Sequence, residues 1–323
     1  MHETEAVKFL KTVEGNVGIF FHDDTDGCCS AAIVLALLRQ RGLKPLLGTG
    51  EIDEETFNRF AKEKLDAAIF LDYAVDQYPQ WLKHWKGKPV LVIDHHPVTN
   101  DLNKLGFLYV NPRLKDAKVY VSASQIVFPI CKKAGLEGKD WLERVGGTGD
   151  RAIEGGSDEK RATELVDAVK AVEHEDGLVS LAGVLAGLER LDRFIYSEKY
   201  MKIHQKYEHE LNIQLEKFRA VEMETIIFFE TRSNYSLTSS LANRLFEIYP
   251  DKTLIIYRCD NRWCKLSSRS RKYDMDKILK EVTAAVGGKG GGHPVAAGAK
   301  IPVGKFVTFR KKVIELITRY AGD

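Results

Sequence analysis

Along the first hundred positions the apolar residues fall into short unbroken runs, and three of these runs end in carboxylates or imidazoles. They read Gly18-Ile-Phe-Phe-His22-Asp-Asp24-Thr-Asp26-Gly27, Ala68-Ile-Phe-Leu-Asp72 and Val90-Leu-Val-Ile-Asp94-His95-His96-Pro97. Apolar runs of this length predict strands buried on both faces. Between them the pattern changes to a helical period: Ser30 to Arg41, stopped by Gly42, then residues 54–64, then a Trp- and Leu-bearing stretch at 77–85. Lys44 to Leu47 reads as a short second strand and Leu108 to Val110 as an edge strand. Strands alternating with helices imply right-handed crossovers and a mainly parallel sheet. Helices are predicted from Ser122 to Ala134 and through Trp141 to Val145, the second ending in Gly146-Gly-Thr-Gly-Asp150.

From Ser157 the helical period dominates as far as Val221, with interruptions near Gly177 and Gly187. Ser157-Asp-Glu places negative charge on a first helical turn, where it complements the dipole. Ile195 to Val221 is strongly charged, with apolar residues at Ile203, Tyr207, Leu211 and Leu215, and reads as a connecting helix. A second α/β pattern follows. Strands are predicted at Met223 to Phe229, Thr253 to Tyr257 and Arg262 to Arg269, with helices at Leu237 to Ile248 and Asp276 to Val286. A glycine-rich loop, Gly287 to His293, leads to a strand around Ala299 to Ile301 and a helix over residues 304–320. The expected fold is therefore α/β in two parts with a cleft between them. Residues 1–188 are expected to form a domain with a mainly parallel sheet, 189–221 a helical connector, and 222–323 a smaller α/β domain.

Bulk properties narrow the class only a little. The 323 residues are 44% hydrophobic and 29% charged, and the formal net charge of +2 excludes a generally basic chain, so any basic surface is local. The five cysteines are odd in number and lack C-x-x-C spacing, which argues against a disulfide framework or structural zinc and fits a reducing compartment. Cys28 and Cys29 read as small side chains packed on a helix. No secretory leader is visible at Met-His-Glu-Thr-Glu, and no run approaches the roughly 20 apolar residues of a membrane span. A cytoplasmic protein without a membrane partner is expected.

The chemistry lies at the strand ends. Parallel sheets place their sites along the carboxyl edge, where this chain would gather His22, Asp24, Asp26, Asp72, Asp94, His95 and His96, with Asp150 from the glycine-rich helix end. Oxygen and nitrogen donors without thiolates suit Mn²⁺ or Mg²⁺ better than zinc. Crowded carboxylates must take up protons or cations. An Asp-His-His tripeptide alone could be a surface turn; three strand ends in series point to a metal site.

Further along, alternation puts Trp263, Lys265, Ser267, Arg269 and Arg271 on one strand face, either a groove for a phosphate backbone or an edge guarded by charge. Gly290, Gly291 and Gly292 before His293 would let backbone amides approach a phosphate.

These residues resemble a known family. His22-x-Asp24-x-Asp26-Gly27, Asp72, Asp94-His95-His96 and Gly146-Gly-x-x-Asp150 look like the four motifs of the DHH phosphoesterase superfamily, in order. Gly290-Gly-Gly-His293-x-x-Ala296-Ala-Gly298 resembles the signature of its partner domain, DHHA1. The resemblance implies a hydrolase of phosphate esters that uses two divalent metals, Mn²⁺ preferred and Mg²⁺ acceptable. It implies that His22 and Asp24 hold one metal, that Asp26, His95 and Asp150 hold the other, and that Asp72 bridges them. Asp94 would orient an imidazole, and His96 would face the phosphate as charge stabiliser or proton donor. Arg269 matches the position at which the partner domain grips substrate phosphate. Asp23 is extra to the pattern.

The glycine-rich fourth motif and the long connector look closer to RecJ-like archaeal and bacterial exonucleases than to small-substrate members. The implied activity is then release of mononucleotides from single-stranded DNA or RNA, with 3′-to-5′ polarity favoured. A homo-oligomer, or a DNA repair or replication protein as partner, is compatible with the family. The alternatives are a nanoRNase, a 3′-phosphoadenosine 5′-phosphate phosphatase, a cyclic-dinucleotide phosphodiesterase and an inactive replication scaffold.

Overall fold

The structure, a computed structural model, describes residues 2–219 and 225–322. The end of the expected connector at 220–221 and the start of the expected strand at Met223 lie outside the described residues. The chain divides into two compact units at His204 and Gln205.

The first unit opens with α1 (His2–Thr12), which the apolar pattern does not single out, and continues through β1 (Val17–His22), α2 (Thr25–Gln40), β2 (Leu46–Gly50), α3 (Glu54–Ala61), β3 (Ala67–Leu71), β4 (Val90–Ile93) and β5 (Leu108–Val110). The strands are all parallel in the order β2-β1-β3-β4-β5. Chain direction across the sheet reverses between β1 and β3, so their carboxyl ends flank a crevice of the kind in which open α/β sheets bind ligands. Side chains alternate between faces. Phe20, Phe70 and Val92 lie in register and pack with Phe57, Phe60, Trp81 and Trp85 on one face. Phe20 stacks on Phe60 with ring centroids 4.1 Å apart. On the opposite face Ile19, Ile69 and Leu91 are all fully buried, and α2 packs against β1 and β3 and α4 against β4.

Four elements depart from the sequence pattern. The helix expected from Ser30 begins at Thr25, because the Asp24 carboxylate caps it by accepting the Gly27 N–H at 2.9 Å. Residues 75–77 and 79–85 form 3₁₀ turns rather than one α-helix, with Pro79 opening the second. The glycines of Gly146-Gly-Thr-Gly fall inside α5 (Asp140–Gly149), which follows α4 (Ala123–Ala134). Gly146 is required there, since a Cβ would sit 2.3 Å from Ser124 Oγ and 2.7 Å from Asp26 Oδ1. α6 (Ser157–Gly187) is broken at His174 (φ +58°) rather than at Gly177. α7 (Asp192–Ile195) and α8 (Glu198–Arg219) complete the helical region, and the division between units falls within α8.

The second unit builds a mixed sheet from β6 (Ile226–Glu230), β7 (Thr253–Cys259), β8 (Trp263–Arg269), β9 (Lys289–Gly292) and β10 (Ala296–Pro302), in the order β6-β7-β8-β10-β9. α9 (Thr238–Ile248) bonds to one face, while α10 (Met275–Val286) and α11 (Phe306–Gly322) share a core with Cys264, Leu266, Ala297 and Ile301 on the other. The expected glycine-rich loop is instead an edge strand: Gly290, Gly291 and Gly292 pair with Ala299, Gly298 and Ala297. A second correction concerns sulfur. Cys259 and Cys264 face each other across β7 and β8 and are joined by a disulfide, because antiparallel pairing opposes residues that sequence spacing alone does not mark. Cys28, Cys29 and Cys131 are free and buried. No helix of the described residues is long and apolar enough to cross a membrane.

Candidate metal centre

The polar residues at the carboxyl edge are held by the sheet itself. Asp72 N–H donates to the Ile93 carbonyl (2.9 Å) and Asp94 N–H to that of Val110 (3.1 Å), so the ladder continues one residue past each strand. Asp72 adopts a left-handed backbone (φ +61°), a conformation Asp tolerates better than branched residues and a form of strain that clusters at functional sites. Gly27 brings the first turn of α2 against β1, where a Cβ would lie 2.2 Å from the His22 carbonyl oxygen.

Three groups of donor atoms result, each with its atoms within 4.8 Å of one another: His22 with Asp24 and Asp72, Asp72 with His95 and His96, and Asp26 with His95 and Asp150. Asp72 and His95 each belong to two groups, so the three are continuous. His22 Nδ1 is 2.7 Å from Asp24 Oδ2 and 3.6 Å from Asp72 Oδ2. His95 Nε2 is 3.2 Å from Asp72 Oδ1, and its Nδ1 is 3.6 Å from Asp150 Oδ2. Asp94 Oδ1 holds His96 Nδ1 at 2.7 Å and orients that ring. Asp26 is buried and accepts the backbone N–H groups of Ala123 (2.6 Å) and Ser124 (3.0 Å).

The donor set fits divalent cations. Asp72 Oδ1, Asp94 Oδ2, His95 Nδ1 and Asp150 Oδ2 are buried and have no hydrogen-bond partner; the His95 contacts are misaligned or too long for one. Such orphaned atoms are costly unless something binds them. Without a cation the cluster retains protons instead. Burial, with the Asp72 and Asp24 carboxylates, pushes the Asp26 carboxyl up to about 8. Burial alone would lower His95, but Asp72, Asp150 and Asp26 push it up to about 10. His22 is raised by Asp24 and Asp72, and His96 by Asp94, each against its own burial. Asp24 and Asp94 are held below the usual carboxylate range by their imidazole partners, although burial opposes this. Excess negative charge in a buried pocket is a sink for hard cations, with oxygen and imidazole donors that suit Mn²⁺ or Mg²⁺.

All eight residues singled out at the strand ends and the α5 terminus are thus brought together. Several neighbours escape sequence reasoning. The amides of Ala123 and Ser124 were detectable only through the Ser122-x-x-Gln125 capping box. Lys170 of α6 pairs with the extra residue Asp23 at 3.1 Å and carries no motif. Tyr120, in irregular chain, and Arg113, in a 3₁₀ turn over Pro112–Leu114, have no pattern to mark them.

The substrate residues expected in the second unit lie along neighbouring strands: Arg269 is the register partner of Ala296, whose backbone bonds to His293, and Gly292 is the partner of Ala297. Arg269 lies on the α9 face, bonded to Asn243 Oδ1 (2.8 Å), Ser239 Oγ (3.2 Å) and the Ser268 carbonyl (2.7 Å). Gly290, Gly291 and Gly292 lie in the edge strand, and the Gly292 N–H is taken by Asp276 Oδ1 (2.8 Å). His293 opens the exposed turn to Ala296.

The DHH family, N-terminal domain model matches residues 16–145, and the DHHA1 domain model matches residues 224–319. No curated protein sequence matches the chain. Among solved structures, RecJ in complex with Mn²⁺ from Thermus thermophilus superposes with a TM-score of 0.74 at 16% identity, over 98% of this chain and 55% of that one. The chain thus spans about half the length of that relative. A second structure, an exonuclease RecJ bound to manganese, gives 0.67 at 15% identity over 99% of this chain and 95% of that one. The pGpG-specific phosphodiesterase PggH from Vibrio cholerae gives 0.55 at 14% identity, over 94% and 99%. At these identities the likeness speaks for the fold. The two family matches, in order along one chain, assign the rest: the chain belongs to the DHH/DHHA1 superfamily, whose members are metal-dependent phosphoesterases.

Proposed function

We propose that the chain is a two-metal phosphodiesterase that releases mononucleotides from the ends of single-stranded nucleic acid, with Mn²⁺ as preferred metal and the cytoplasm as its compartment. The observation that carries this reading is the convergence of His22, Asp24, Asp26, Asp72, His95 and Asp150 at the β1/β3 crevice, with buried donor atoms left unpaired. In this reading His22 and Asp24 hold one cation, Asp26, His95 and Asp150 the other, and Asp72 lies between. Bound there, the cations would polarise the phosphoryl oxygens and lower the pKa of an attacking water. The chain's own contribution is positional. Asp94 pins His96 through Nδ1 and favours the protonated ring, leaving Nε2 to face the phosphate and protonate the leaving oxygen. Residues 1–188 carry this chemistry. Arg269, Gly290, Gly291, Gly292 and His293, in 222–323, are assigned to the substrate's phosphate backbone. The RecJ structures solved with manganese support the choice of metal and of substrate class.

The test is digestion of end-labelled DNA and RNA oligomers, from two to about twenty nucleotides, with Mn²⁺. Stepwise loss of mononucleotides from the long strands is expected, and the label position gives polarity. Cleavage confined to dinucleotides would replace this reading with a nanoRNase or a dinucleotide phosphodiesterase. No metal-dependent cleavage at all would leave a scaffold.

A further inference from the structure

Two side chains at the rim of the metal centre have no part in the roles assigned above. Tyr120 leaves 49% of its surface exposed, although its hydroxyl donates to the Asp150 carbonyl oxygen at 2.7 Å and its ring meets His95 edge-on with centroids 6.2 Å apart. A large aromatic tethered at its tip yet open over its ring is a ready surface for stacking. Arg113 stands beside it, its guanidinium carbon 5.9 Å from the Tyr120 ring centroid. Arg113 Nε is buried without a hydrogen-bond partner, and its guanidinium makes no ion pair among the described residues, although carboxylates crowd the neighbouring cluster.

The position of Arg113 is built. Its backbone N–H donates to Asn111 Oδ1 at 2.9 Å, and the buried Asn111 also donates from Nδ2 to the His96 carbonyl oxygen at 3.0 Å. One asparagine therefore ties the arginine's turn to the Asp94-His95-His96 segment. A buried guanidinium donor without a partner is costly unless an anion completes it, and the planar fork of arginine suits phosphate.

We propose that Tyr120 and Arg113 form a nucleotide subsite at the rim of the metal centre, the tyrosine stacking on a nucleobase and the arginine pairing with a phosphate of the same nucleotide. This deepens the phosphodiesterase reading and rests on it for the class of ligand. It predicts recognition of the base by shape rather than by sequence, since every base offers a π-face.

The test is calorimetric titration of the full chain with Mn²⁺, comparing adenosine 5′-monophosphate with ribose 5-phosphate. The wild type is expected to prefer the nucleotide by about tenfold or more, the range of one base–aromatic stack. Tyr120→Leu should bring that ratio close to one, while Tyr120→Phe, which keeps the ring and loses the tether to Asp150, should retain it. Arg113→Gln should weaken both ligands by the same factor and leave the ratio unchanged. Equal affinity of the wild type for the two ligands overturns the proposal. So does an undiminished ratio in Tyr120→Leu, or wild-type ribose 5-phosphate binding in Arg113→Gln. Because the readout is binding, absence of hydrolysis would sink the proposed activity without deciding this subsite.

Discussion

The carboxylate of Asp26 accepts the backbone N–H of Ser124 from the first turn of a helix 98 residues further along the chain. With the matching bond from Ala123, this joins the first turn of α2 to the positive end of α4. α5 closes over the joint at Gly146, where there is no room for a Cβ.

Gly146→Ala should therefore act on stability and on the site together. Overpacking of this kind costs about 1–3 kcal/mol, and the methyl group would press on both Ser124 Oγ and Asp26 Oδ1. The expected result is a lower denaturation midpoint and a weaker stabilisation by Mn²⁺. A variant with wild-type Mn²⁺ affinity would separate Gly146 from the centre.

Asp72 allows side-chain chemistry to be distinguished from backbone strain. Asn tolerates its left-handed backbone (φ +61°), so Asp72→Asn should fold normally while Mn²⁺-dependent hydrolysis falls by more than about a hundredfold, exceeding the loss of an outer partner of a ligand. Asp72→Val should in addition lose about 1–3 kcal/mol of stability from strain. Thermal melts with and without Mn²⁺, beside rate measurements, check both. Full activity in Asp72→Asn would remove this residue from the metal centre.

The metal-free protein should become less stable as pH rises. Asp26 and His95, pushed up to about 8 and about 10, bind their protons more tightly when folded than when unfolded. The Asp26 contribution is complete below about pH 4 and gone above about pH 8; that of His95 is complete below about pH 6.5 and gone above about pH 10. Asp94, whose folded value is depressed, acts in the opposite sense, and its stabilisation is lost only as the solution becomes acidic. In chelator, Tm should fall between pH 6.5 and 10. Saturating Mn²⁺, which requires deprotonated donors, should reduce or reverse the fall. Identical profiles with and without metal would refute the linkage.

The Cys259–Cys264 disulfide closes a short loop between β7 and β8. In the chain-entropy account a loop of this size contributes about 2 kcal/mol. The double substitution Cys259→Ser with Cys264→Ser should lower the stability of the second unit by about that amount. Mass spectrometry of the oxidised chain would first show the two-dalton difference of the bond.

Much of this was legible in one dimension. The three apolar runs place His22, Asp72 and Asp94 at strand ends because a parallel sheet buries both faces and pushes charge to its edge. Helix ends were legible where a side chain marks them, as at Ser122, and missed where a cap acts from outside the apolar period, as at Asp24. The glycines at 290–292 looked like a loop because glycine carries no strand signal. Pairing with β10 makes them a strand.

By itself the sequence determined the order of elements, the parallel sheet and the identity of the candidate ligands, since these follow from hydrophobic period and residue chemistry along the chain. Only the tertiary structure decided that Asp26 is held by the α4 amides, that Asp72 and His95 each serve two donor groups, that Cys259 meets Cys264, and that Tyr120 stands beside His95 and Asp150 with Arg113 against its ring. Those relations join residues as far apart in the chain as Asp26 and Asp150, which share one donor group. They depend on which side chains the packed core and the sheet register carry to the same point, and local pattern holds no record of that.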